Sequence, residues 1–132
     1  MNSNILKYLI LTFFALFICC QKEKETVTEF IVGKWEWVKS VSPWTGQVSN
    51  PQTYGYSITL EFTGDGLMKE YKNDTLSNTT NYSIEINSTE PNRNFLIYSS
   101  GIRSQVYIGN DSLILNAAYV DGPVSTYIRK TN

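Results

Sequence analysis

Polar and apolar residues alternate with a period of two through much of this chain beyond residue 30. The clearest run is 56–63. Tyr56, Ile58, Leu60 and Phe62 share one face, and Ser57, Thr59, Glu61 and Thr63 share the other. Successive strand side chains point to opposite sides, so the pattern predicts a strand with one buried and one solvated face. Tyr82, Ile84 and Ile86 repeat it, as do Ile102, Val106 and Ile108. Turn signals punctuate the runs: Gly64-Asp65-Gly66, the stretch 73–78, Ser100-Gly101, Gly109-Asn110-Asp111 and Asp121-Gly122-Pro123. Strands are predicted over 34–41, 56–63, 67–72, 79–86, 95–99, 102–108, 113–119 and 124–130. No segment among them has a helical period. Eight short strands joined by tight turns predict an all-β fold, an antiparallel up-and-down barrel whose closure removes both sheet edges. A two-sheet sandwich is the structural alternative, although its strands usually cross by longer links.

The first strand carries Gly33-Lys34-Trp35-Glu36-Trp37-Val38-Lys39. Trp35 and Trp37 are two residues apart and so face the same way, which demands a deep apolar interior. Trp35 is expected to plug one end of the barrel. Residues 29–32 lead into this strand. The stretch 42–53 follows it, and Pro43, Gly46, Asn50 and Pro51 argue against regular structure there. Irregular segments of that length in compact domains are usually functional or disordered.

The start of the chain belongs to a different class. A single positive charge at Lys7 precedes an apolar run over 8–18 broken only by Thr12. The run is too short to span a bilayer and reads as the core of a secretory signal. Leu16-Phe17-Ile18-Cys19-Cys20 resembles a bacterial lipobox, with Cys20 as the acylated residue because cleavage there leaves small Cys19 before the cut. Expected boundaries are a signal peptide at 1–19, a charged lipidated tether at 20–29 and one domain at 30–132. The resemblance implies a membrane partner through the N-terminal lipid. It implies a place in the bacterial cell envelope, at the periplasm or the surface, with the outer membrane as the expected membrane.

Composition narrows the chemistry. The chain has 11 basic and 12 acidic residues and no histidine. Without a basic stripe, nucleic acid is not an expected partner. The missing histidine removes the commonest general base and metal ligand. Both cysteines lie at the signal boundary, so a disulfide, a thiol nucleophile and a cysteine metal site are not expected. Glu61, Glu70 and Glu85 lie on predicted strands, but Glu61 and Glu85 alternate opposite the apolar faces and should be solvated. No catalytic residue, metal site or cofactor is expected, and the chain is not read as an enzyme. Nine tyrosines, six phenylalanines and three tryptophans are a heavy aromatic load.

Gly33-Lys34-Trp35 in the first strand, the long first loop, Leu60-Glu61-Phe62-Thr63-Gly64-Asp65-Gly66 and the terminal Tyr127-Ile128-Arg129 together resemble the short lipocalin-like bacterial lipoproteins. The resemblance implies that Arg129 stacks on Trp35 at the closed end, with Gly33, Trp35 and Arg129 structural. It also implies a small hydrophobic or amphipathic ligand held in the barrel under a lid made by the first loop. Candidate ligand-binding residues are Trp37, Trp44, Tyr54, Tyr56, Tyr82 and Tyr127, of which Trp37, Tyr56, Tyr82 and Tyr127 equally suit core filling. Trp44, in a Pro/Gly-rich loop, is either tucked over the mouth or exposed for a partner. The alternative function is a protein-binding module, of inhibitor or immunity type, with a filled barrel.

Overall fold

The computed structural model describes residues 27–90 and 93–131. The expected signal peptide, Cys20 and the tether up to residue 26 lie outside the described residues. A short helix α1 (Val27–Ile31) runs into β1 (Gly33–Val41). There follow β2 (Val48–Ser49), helix α2 (Pro51–Tyr54), β3 (Ile58–Phe62), β4 (Leu67–Lys72) and β5 (Thr75–Glu85). The chain continues through β6 (Asn94–Tyr98), β7 (Arg103–Ile108) and β8 (Ser112–Asn116). A 3-10 turn (Ala118–Val120) then leads to β9 (Val124–Arg129). Strands β3 to β9 pair antiparallel in sequence order, and β1 pairs with both β3 and β9. The result is a closed eight-stranded antiparallel barrel. β2 lies outside that count, adding a two-residue flap to the far end of β1 through Ser40↔Ser49 and Val41↔Val48.

The alternation seen in the sequence sets the interior. Trp35, Phe62, Ile31, Leu96 and Leu113 are fully buried, and Trp37, Leu60, Met68, Tyr82, Val106, Leu115 and Tyr127 complete the core. Two bulges break the period where counting alone would fail. Trp37 pairs with Tyr127 but Lys39 with Thr126, so Val38 is an extra residue on β1. A one-residue insertion exchanges the faces of all that follows. Val38 and Lys39 are therefore both exposed, and Ser40 turns to the interior. On β5, Glu70 pairs with Asn78 and Tyr71 with Leu76, which leaves Ser77 as the extra residue.

Several boundaries differ from the sequence expectation, each for a local reason. Residues 27–29, expected in the tether, belong to α1, because Val27 packs on the core and Ile31 is wholly buried within it. The turn expected over 73–78 contracts to Asn73 and Asp74, both left-handed at φ 48° and 60°. That pair is the signature of a tight two-residue hairpin, so β5 starts at Thr75. The residues 50–55, read as irregular, make α2. Asn50 accepts from the Thr53 amide while Thr53 Oγ1 accepts from the Asn50 amide, Pro51 sits in the first turn, and Gly55 closes the helix at φ 75°. These are helix start and stop signals. β8 ends at Asn116 rather than at 119, where the chain enters the 3-10 turn. Ile86 and Ile102, expected inside, are exposed because β5 and the β6–β7 turn have already left the barrel wall there.

Candidate functional site

The two ends of the barrel are built differently. At the end where β1 starts, the Arg129 guanidinium lies over the Trp35 ring, its Cζ 4.1 Å from the ring centroid. Arg129 also donates to the carbonyls of Phe30 (2.8 Å), Val32 (3.2 Å) and Asn110 (3.3 Å). Trp35 Nε1 donates to the Ile31 carbonyl at 2.7 Å. Helix α1 is thereby fastened across this end by its own C-terminal carbonyls, which would otherwise lack partners. Gly33 is required by the arrangement. Its φ is 130°, and a Cβ there would stand 2.9 Å from Arg129 Nη1. Tyr82 belongs to this closed half: its ring meets Phe62 edge-on at 5.0 Å, and its hydroxyl donates to the Thr63 carbonyl at 2.8 Å.

The opposite end is open. Ser42–Ser57, the β4–β5 and β6–β7 turns and the segment 117–123 surround it. Inside lies a cavity of about 400 Å³ whose walls include Trp37, Tyr54, Tyr56, Tyr127, Ser40 and Ser125. A ladder of polar contacts descends one side. Trp37 Nε1 donates to Ser40 Oγ at 2.9 Å, and Ser40 Oγ shares a hydrogen with Ser125 Oγ at 2.7 Å. The Tyr127 hydroxyl is raised well above its ordinary value by burial, an effect that the neighbouring Ser125 side chain partly offsets. Tyr54, at the end of α2, stands edge-on to Trp37 (5.9 Å) and to Tyr56 (5.5 Å), although it is 54% exposed. It forms a lip over the cavity. Lys72 Nζ covers the Tyr56 ring at 3.9 Å.

A second cavity of about 330 Å³ lies on the other side of Tyr127, bounded by Leu60, Met68, Glu70, Asn78 and Tyr98 among others. Burial pushes the Tyr98 hydroxyl up to about 12, a bond to Ser104 offsets part of this, and the negative charge of Glu70 adds to it.

Four of the six residues singled out for ligand contact, Trp37, Tyr54, Tyr56 and Tyr127, therefore meet around one cavity. Tyr82 and Trp44 do not. Tyr82 is closed-end core, and Trp44 is 76% exposed on a turn outside the lining. The lip falls to Tyr54 because α2 folds residues 51–54 back over the mouth. Glu61 and Glu85 face outward as the alternation implies. Glu61 accepts from the Tyr71 hydroxyl at 2.8 Å, and Glu85 pairs with Arg103 at 2.6 Å. Sequence reading did not single out Ser40, Ser125 or Glu70 for the interior. Glu70 had a signal, since it shares the Met68 face by alternation. Ser40 had none, because its orientation depends on the Val38 bulge. No family model, curated relative or solved structure matches the chain.

Proposed function

We propose that this protein is a lipid-anchored binding barrel of the bacterial envelope that holds a small amphipathic molecule at its open end and is not an enzyme. The observation that carries the reading is the cavity of about 400 Å³ under Tyr54. Its size falls within the roughly 300–1,000 Å³ typical of small-molecule sites. Its chemistry is mixed. Trp37, Tyr56 and Tyr127 offer apolar ring surface, and Ser40 and Ser125 offer hydroxyls that fix orientation. An amphipathic ligand fits that lining better than a purely apolar one. α1, the first described element, lies at the closed end, so an anchor at Cys20 would favour a mouth that faces away from the membrane. The lipocalin-like resemblance is consistent with this geometry and adds no ligand identity.

A second reading has its own observation. Trp44, Val48, Ile102, Tyr119 and Val120 are each at least half exposed, and all lie on loops or flaps around the open rim. Exposed apolar clusters mark interaction surfaces, so a protein partner could cover the mouth.

The test uses the full chain extracted in a mild non-ionic detergent and transferred to amphipol. Its N-terminal peptide should begin at an acylated Cys20 by mass spectrometry. The dye N-phenyl-1-naphthylamine should bind with stoichiometry near one and be displaced by eight-carbon amphiphiles. A non-acylated start elsewhere would remove the anchor. Absence of saturable dye binding would remove the small-ligand reading and leave the partner reading.

A further inference from the structure

Glu70 is a carboxylate turned into the barrel. Met68 and Glu70 alternate inward on β4, with Leu60 opposite Glu70 on β3 and Asn78 opposite it on β5. The second cavity opens beside it. Its direction is fixed by the β5 bulge: the extra residue, Ser77, donates to Glu70 Oε1 at 3.1 Å and to the Glu70 carbonyl at 3.0 Å. Bulges commonly aim a side chain in this way. No cation neutralises it among the described residues. Their ion pairs are Arg93–Glu90, Arg103–Glu85 and Lys130–Asp74, and Lys72, next inward on β4, is turned over the Tyr56 ring.

The carboxylate shares its cavity with Tyr98 and Tyr127. Tyrosine faces attract cations, and their hydroxyl oxygens accept hydrogen bonds. An ammonium group has three donors and no acceptor, so a carboxylate with two phenols around a pocket matches it in charge and in hydrogen bonding. A ligand carboxylate would meet the like charge of Glu70. Glu70 also contributes to holding both phenol hydroxyls protonated, which places its field across the pocket. Tyr127 lines both cavities and is the wall they share.

We propose that the barrel is selective for cationic amphiphiles. Glu70, flanked by Tyr98 and Tyr127, takes the ligand's ammonium group in the second cavity, and the apolar body lies against Trp37 and Tyr56 in the first. This rests on the small-ligand reading above and names its class.

The experiment compares octylamine, octanol and octanoate, which share a chain and differ in charge, by calorimetric titration of the full chain at pH 7. Octylamine should bind at least about tenfold tighter than octanol, as expected of a charge-assisted hydrogen bond, and octanoate more weakly than octanol. Glu70→Gln should abolish the preference for octylamine over octanol. Asn78→Lys, at an exposed position directly across from Glu70, should pair with the carboxylate and remove the preference for octylamine while leaving Glu70 itself in place. It therefore serves if Glu70→Gln fails to fold. Equal binding of all three, or a preference that survives both substitutions, overturns the ammonium proposal and leaves the barrel as a binding protein. Binding of none of the three overturns both.

Discussion

The closed and open ends of this barrel use the same aromatic vocabulary to opposite effect. Trp35 and Trp37 are two residues apart on one face of β1, at 0% and 6% exposure. Trp35 gives its N–H to a backbone carbonyl, and its ring is covered by Arg129, which is itself held by three further carbonyls. Every polar partner there is main chain, fixed by secondary structure, and nothing can leave without unfolding a neighbour. Trp37 gives its N–H to Ser40, whose partner is another serine side chain. Its ring meets Tyr54, a half-exposed residue on a four-residue helix. Side chains can change partners at low cost, so the open end can exchange its contacts for those of a ligand. One end is closed by backbone, the other by replaceable groups.

The largest effect should come from the closed end. Trp35→Ala removes a wholly buried ring from under Arg129 and should cost about 3–5 kcal/mol, a large share of the roughly 5–15 kcal/mol of a small domain. Arg129→Ala should cost less, and the double variant should fall short of the sum because the two side chains touch. Denaturant titration of the four proteins measures this. Strict additivity would mean that the stack contributes nothing, and the contrast between the ends would then lose its main support.

Much of that contrast was legible in the chain. Period-two alternation gave the strands and the inward faces of β3 and β5. The spacing of Trp35 and Trp37 pointed to a plugged end, and Arg129 on Trp35 was what the lipocalin-like resemblance implied. What escaped was set by one-residue events that alternation cannot register. The Val38 bulge turns Ser40 inward and keeps Lys39 in solvent, and the Ser77 bulge aims Glu70. Nor did the chain betray Trp44, since nothing in Pro43-Trp44-Thr45-Gly46 says which way a turn will face. Asn50 and Pro51 were informative, but as helix start signals rather than as breakers, since the same residues serve both purposes.

An intermediate effect should appear at high pH and come from the open half. Burial raises the Tyr98 hydroxyl to about 12 from an ordinary value of 10.0. The fold therefore favours the protonated phenol. That contribution is complete below the unfolded value near 10 and is lost as the pH rises through about 12. Melting temperature should fall across this window in the native protein and fall less in Tyr98→Phe, which has no proton to lose. Parallel curves would mean that the Tyr98 hydroxyl reaches solvent and that the second cavity is wetter than its walls imply.

The smallest effect on stability, and the finest test of the comparison, lies on the rim. Trp44 is 76% exposed and touches neither cavity. Surface changes of this kind usually stay within about 0.5 kcal/mol. Trp44→Ala should therefore leave both melting and octylamine affinity unaltered. Tyr54→Ala removes two edge-on aromatic contacts from the mouth and should lower the melting temperature modestly, far less than Trp35→Ala. Such contacts contribute roughly 0.5–1.5 kcal/mol each beyond the area they bury. Ligand affinity should also drop several-fold, because the lip over the cavity is gone. If instead Trp44→Ala weakens octylamine and Tyr54→Ala does not, the lip has been assigned to the wrong aromatic, and the residue 43–46 turn must close over the cavity when ligand arrives. If neither changes ligand binding but Trp44→Ala abolishes capture of a protein partner, the exposed rim is a docking surface in its own right.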